Sequence, residues 1–340
     1  MSECVLLTGV SGFLGGHVAL QLLAKGYLVR GSVRDLRRAD KVRQTLAAAG
    51  ADVSRLEFVA LDLMSDQGWE DAMRGVRFLQ HVASPFVTVM PADKMELIRP
   101  AVEGTTRALE AAFTSEVERV VLTSSMAAIA YGHDKARSAP FTGADWTGLS
   151  GRGVNAYVES KARAERTAWD VAERHGRRND LAVINPSAIL GPLLDEDPGT
   201  SIAMVQRMLN GSMPAAPNVA FALVDVRDVA ALQVAAMTDP NAGGQRFPVG
   251  TGPYTLMEMA DLLRPAMPAY ARKLPRFQAP NWLVRAIALF DKDVRGILGE
   301  LGVIKRLDAS AATRLLGRPL ITAREALVAS GNSLVAQRLV

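Results

Sequence analysis

The 340-residue chain reads as an α/β protein, a doubly wound parallel sheet with a smaller, interleaved C-terminal lobe. Two observations predict this. Short apolar runs alternate with helix-like segments through the first 190 residues. The first run also leads into a glycine-punctuated turn that opens a helix.

The runs are CVLLTG (4–9), YLVRGSV (27–33), LEFVALDL (56–63), RFLQHVAS (77–84), RVVLTSS (119–125) and LAVINPSAI (181–189). Rich in Val, Leu and Ile and only partly alternating, they predict strands covered on both faces. Between them lie FLGGHVALQLLAKG, ADKVRQTLAAAG, DQGWEDAMRG, MELIRPAVEGTTRALEAAF and NAYVESKARAERTAWDVAERHG, several ending in glycine, a common helix stop. Strand and helix in alternation imply right-handed crossovers and one parallel sheet.

After residue 190 the rhythm breaks into turn-rich GPLLDEDPG, then returns with FALVDVRDVAALQVAAM (221–237) and QRFPVG (245–250). The expected division assigns 1–190 and 221–250 to the sheet domain, and 191–220 and 251–340 to a substrate lobe.

In TGVSGFLGGH the glycines fall at 9, 12 and 15. Gly9 permits the sharp turn, Gly12 lets backbone approach a pyrophosphate, and Gly15 allows close helix–sheet packing. The N–H groups of Phe13 and Leu14 would face phosphate at the positive end of the helix dipole. This is a Rossmann-type dinucleotide turn. At the end of the second strand, SVRDLRRADK offers Arg34, a planar fork suited to a ribose 2′-phosphate, with Lys41 as a second cation. These favour NADP(H) over NAD(H), although Asp35 could instead accept from a 2′-hydroxyl. Asp62 and Leu63, closing the third strand, are candidates for the adenine side.

Tyr157 and Lys161 of YVESK stand one helical turn apart, a weak signal alone. The fifth strand brings hydroxyls at 123, 124 and 125 to the same carboxyl edge of the sheet.

With TGVSGFLG (8–15), Asp62, HVASP (81–85), Ser125, YVESK and INPSAILGP (184–192), the chain resembles the extended short-chain dehydrogenase/reductase family over about its first 190 residues. Within that family, GYLVRGSVRD, HVASPF, VLTSSMA, YVESKARAERTAW and FALVDVRDVA are most similar to the dihydroflavonol-reductase-like aldehyde and ketone reductases.

The resemblance implies hydride transfer with Tyr157 as the acid, Lys161 lowering its pKa and holding the nicotinamide ribose, and Ser125 bonding the substrate oxygen. Ser124 remains a rival for the last role. It also implies that Ala83, Ser84, Pro186 and Ile189 line the cofactor. Phe86, Met126, Ala127 and Ala128 suggest an apolar approach to the carbonyl, hence an apolar or aromatic aldehyde, ketone or alcohol as substrate.

A nucleotide-sugar epimerase or dehydratase is the alternative, but Ser125 is followed by Met126, Ala127 and Ala128 rather than a carboxylate. A non-catalytic NADP sensor is a third reading, which retention of both Tyr157 and Lys161 disfavours.

The rest of the composition narrows the class. Cys4 is the sole cysteine, which excludes an internal disulfide and fits a reducing cytoplasm. The four histidines show no metal-ligand spacing, so no metal is expected. The net charge of +4 is spread along the chain without a nucleic-acid footprint, and no apolar run is long enough to span a membrane. A monomer or a homodimer is expected, with helices 94–113 and 154–175 as a possible two-fold interface.

Overall fold

The computed structural model describes residues 3–84, 93–290 and 292–340. The first half runs β1 (Cys4–Thr8), α1 (Phe13–Ala24), β2 (Leu28–Val33), α2 (Ala39–Ala48), β3 (Leu56–Ala60), α3 (Trp69–Met73), β4 (Val76–His81), α4 (Met95–Phe113), β5 (Arg119–Thr123), α5 (Ala156–Arg174) and β6 (Leu181–Pro186). The second half runs β7 (Ala188–Leu190), α6 (Gly199–Leu209), β8 (Ala220–Asp225), α7 (Val226–Thr238), β9 (Arg246–Val249), β10 (Thr251–Thr255), α8 (Leu256–Ala266), α9 (Asn281–Ile287), α10 (Lys292–Gly296), α11 (Ser310–Leu316) and α12 (Ala323–Ala336).

Seven parallel strands form the main sheet in the order β3-β2-β1-β4-β5-β6-β9. Strand β1 shows why it lies at the centre. All five of its residues are buried, and they alternate between two cores. Val5 and Leu7 pack with Val18 and Leu22 of α1 and Val229 and Leu232 of α7. Cys4 and Leu6 face the other way, onto Leu109 of α4 and Trp169 of α5. The strand order reverses between β1 and β4. That switch point opens a crevice at the carboxyl edge, where such sheets bind ligands.

Two expectations need correction. The run 181–189 is not one strand: β6 stops at Pro186, and Ala188–Leu190 joins a second, three-stranded sheet ordered β10-β8-β7. Proline has no N–H for a ladder, and the next donor, Ser187 N–H, bonds to Val249 O at 3.0 Å as the chain leaves the main sheet. Nor does 221–250 belong to the large sheet as a block. Its first strand, β8, pairs parallel with β7 and antiparallel with β10, while α7 returns to cover α1 and β9 closes the main sheet. Apolar patterning alone does not say which sheet a strand joins.

The small sheet, α6, α8 and α12 share a separate core around Leu190, Ile202, Leu223, Met259 and Leu327. No helix among the described residues is long and apolar enough to cross a membrane.

Candidate active site

The glycine turn sits against the end of β4. Gly9 has φ +73°, and a Cβ there would lie 2.9 Å from the backbone of Ala83, so only glycine lets the two loops meet. A Cβ on Gly15 would strike Gly9 O at 2.0 Å, so the close approach there is of α1 to the turn, where helix–sheet packing was expected. Gly12 caps α1 without a side chain, and the only atom near a Cβ there would be Gly9 O at 3.4 Å. The N–H groups of Phe13 and Leu14 therefore stand at an open helix end with no protein partner among the described residues.

Thr8 closes the switch point from below. Its hydroxyl oxygen accepts from Val82 N–H and Ala83 N–H, both at 3.1 Å, and lies 2.9 Å from His81 Nδ1. With both lone pairs used, the Thr8 proton goes to Nδ1, which makes His81 a neutral imidazole protonated on Nε2. Burial, with the Lys161 charge acting the same way, pushes its pKa down to about 4 and keeps it neutral. His81 thus ties the ends of β1 and β4 together.

The second-strand corner follows directly, because Val10 of the turn packs on Gly31 of β2. There Asp35 is already committed: it accepts from Arg37 N–H at 3.0 Å and pairs with the Arg37 guanidinium at 2.5 Å. That hydrogen bonding holds its carboxyl below the usual range. Arg34, Arg38 and Lys41 are exposed and make no side-chain hydrogen bond or ion pair among the described residues.

Asp62 accepts from Met64 N–H at 2.9 Å in an exposed turn. Leu63 instead lies on Gly104 of α4, where a Cβ on the glycine would sit 2.8 Å away, so its side chain serves helix packing.

The catalytic candidates come from β5 and α5. Asn155 caps α5 by accepting from Val158 N–H at 2.9 Å, which places Tyr157 in the first turn, at the positive end of the helix. One turn on, Lys161 donates to Ser84 Oγ at 2.9 Å and stands 5.9 Å from the Tyr157 ring centroid. Burial pushes the Lys161 ammonium down to about 8. Burial also raises the Tyr157 phenol, against a smaller downward pull from Ser125 within hydrogen-bonding range. The downward pull on Tyr157 comes from Ser125 rather than from the expected Lys161, whose hydrogen bond here goes to Ser84.

Ser125 and Ser124 separate clearly. The Ser125 oxygen accepts from Ala127 N–H at 3.1 Å, leaving its own proton free toward Tyr157. Ser124 turns away and donates to Glu165 at 2.5 Å. Pro186 is buried at the end of β6, and Ile189 is half-buried in β7, in the second sheet. Met126, Ala127 and Ala128 are buried, and Met126 packs with Ile129, Ala130 and Phe141 rather than lining an open wall. Phe86 lies outside the described residues.

Glu165 is the important residue that sequence reasoning missed. Fully buried on α5, its carboxylate accepts from Ser124, from Asn185 Nδ2 at 2.6 Å and from Arg246 Nε at 2.5 Å. Asn185 also reaches Ser125 O at 3.3 Å, and Arg246 donates to Gly143 O and Asp145 O while lying 3.7 Å from the Trp146 ring centroid. One buried ion pair therefore ties α5, the end of β5, β6, β9 and the 143–146 loop together beneath Ser125.

The sequence model described as the NAD dependent epimerase/dehydratase family matches residues 5–250 of the chain. The protein belongs to that family. Among family relatives, cinnamoyl-CoA reductase 1 of Oryza sativa subsp. japonica is 35% identical over 279 residues, covering 79% of this chain and 78% of the rice protein. A ketoreductase of Aspergillus niger is 31% identical over 318 residues, covering 88% of this chain and 93% of its own. Of solved structures, Candida albicans Gre2 in complex with NADPH superimposes with a TM-score of 0.79 at 27% identity, covering 98% of this chain and 99% of Gre2. The chain is thus an extended short-chain dehydrogenase/reductase whose relatives within the family include carbonyl reductases.

Proposed function

We propose that the protein is an NADP-dependent oxidoreductase that reduces an aldehyde or ketone to the alcohol, reversibly. The observation that carries this reading is the meeting of Ser125, Tyr157 and Lys161 beside the glycine turn at the sheet's switch point. The surroundings fit a nicotinamide dinucleotide: an uncovered helix end for the pyrophosphate and exposed cations for a 2′-phosphate. A bound nicotinamide supplies the hydride.

The chain's own groups handle the proton. Tyr157 gives its phenolic proton to the carbonyl oxygen, and the Ser125 O–H bonds the same oxygen as charge builds there. In the alcohol-to-carbonyl direction the Tyr157 phenolate takes the proton back. The Lys161 ammonium and the α5 N-terminus both stabilise that phenolate.

The relatives' names support a carbonyl substrate, and an NADPH-bound neighbour supports the cofactor class. The test is a panel of aromatic and aliphatic aldehydes and ketones, followed by nicotinamide absorbance with NADPH and with NADH. Turnover confined to nucleotide sugars overturns the reading.

Two results refine it. Arg34→Asp should cut the NADPH-over-NADH ratio of kcat/KM by about tenfold or more, the worth of one charge-assisted hydrogen bond. An unchanged ratio removes Arg34 from the assignment. The pH profile has a predicted owner as well. Lys161 loses its proton near 8 while burial keeps Tyr157 protonated to higher pH, so kcat/KM for reduction should fall above pH about 8. Lys161→Arg, which stays charged, should move that limb upward. A limb unmoved in the variant assigns it elsewhere.

A further inference from the structure

The small lobe shows an apolar face that no other part of the described chain covers. Trp282 and Phe290 are 70% and 91% exposed, and Phe277, Ile287 and Leu289 are exposed in the same stretch. Every exposed aromatic ring among the described residues lies here. The backbone beneath them is nonetheless anchored. Ala216 N–H bonds to Phe277 O at 3.0 Å and Ala279 N–H to Ala216 O at 2.8 Å, joining the segment to the loop after α6. Val284 of α9 is buried in the lobe core, and Arg295 closes the helix end by donating to Ala288 O and Leu289 O at 3.0 and 2.9 Å. The fold therefore holds these side chains outward. With Val284 and Ala288 buried, Trp282, Arg285, Ala286 and Leu289 share the opposite face at i, i+3, i+4 and i+7.

The charge of the same stretch is one-sided. Residues 272–290 hold four exposed basic side chains, Arg272, Lys273, Arg276 and Arg285, and no carboxylate. Counting on through 291–293 gives five basic residues against two acidic ones. None of the four exposed cations forms an ion pair among the described residues. A second copy of the chain is a poor cover for this face, because a two-fold contact would set these cations against themselves. Soluble surfaces rarely leave such a group of apolar side chains in water without a partner. An anionic bilayer meets both demands: Trp and Phe enter the headgroup–acyl boundary while Arg and Lys stay at the phosphates.

We infer that this face of the small lobe docks on an anionic phospholipid surface, as a peripheral attachment. No described helix can cross a membrane, but this contact needs no spanning segment. The inference does not depend on the reductase reading.

Co-sedimentation tests it, with vesicles of phosphatidylcholine alone and of an equal mixture with phosphatidylserine. The protein should bind the mixed vesicles, leave the neutral ones largely unbound, and bind more weakly as salt rises. Arg285→Glu should weaken binding by about fivefold or more, the worth of one cation near such a surface. Trp282→Ala with Phe290→Ala should weaken it by about tenfold or more. Lys25→Glu, an equal charge reversal just past α1, should change it little. Fluorescence gives an independent reading. Trp69 and Trp169 are buried and Trp146 is half-buried, so a blue shift on adding mixed vesicles should come from Trp282 and vanish in Trp282→Phe.

No sedimentation with the mixed vesicles at low salt overturns the inference, and so does equal binding to neutral ones. Binding unchanged in either the charge or the apolar variant assigns attachment to another surface. A concentration-dependent dimer in ultracentrifugation, lost in the apolar variant and without vesicle binding, gives the face to a second copy and overturns it as well.

Discussion

Tyr157→Phe is expected to lower kcat for carbonyl reduction by roughly 10²–10⁴-fold, the usual worth of a positioned general acid, while NADPH still binds. The phenyl ring keeps the packing of the first turn of α5, and the Asn155 cap does not involve the phenol. The Lys161–Ser84 bond likewise survives. What disappears is the phenolic proton beside Ser125. Cofactor fluorescence on binding and nicotinamide absorbance on turnover separate the two effects. Turnover within tenfold of the parent would remove Tyr157 from the acid's role, leaving Ser125 or water to supply the proton.

Glu165→Ala is expected to destabilise the protein by about 3–5 kcal/mol, because it strands the Arg246 charge in a site where both partners are buried. That is a large fraction of the 5–15 kcal/mol typical of a folded chain. The same substitution leaves Ser124 and Asn185 without their shared acceptor directly beneath Ser125. Denaturant titration reads the stability loss. The double variant Glu165→Leu with Arg246→Leu should recover part of it, since no buried charge is then left alone. If the double variant is as unstable as the single one, the loss came from packing rather than from an uncompensated ion.

The contrast between Tyr157 and Glu165 shows what local sequence could and could not reveal. YVESK was legible because its two side chains need only a helix to meet, and the glycine turn because its three glycines fall at fixed spacing after a strand. Glu165 lies in ARAERTAW, where nothing local marks a carboxylate as buried. Its burial depends on Arg246, which arrives on β9, 81 residues later. Ser124 and Ser125 likewise could not be told apart until that carboxylate claimed one of them. The pairing of Asp35 with its neighbour Arg37 is also visible only once the corner is folded. The second sheet escaped for a related reason. Ala188–Leu190 is three residues long, and its partner strands come from 220–225 and 251–255.

The way the chain changes layers has a consequence for how the molecule comes apart. It passes between the two sheets or their helices at Pro186 to Ala188, Asp225 to Val226, and Val249 to Thr251. Each layer is therefore stitched with thread from the other, and no single cut separates the strands of one sheet cleanly from those of the other. Heat or denaturant acting on the lobe tugs at the neighbours of the nucleotide crevice, so the two layers should melt in one step.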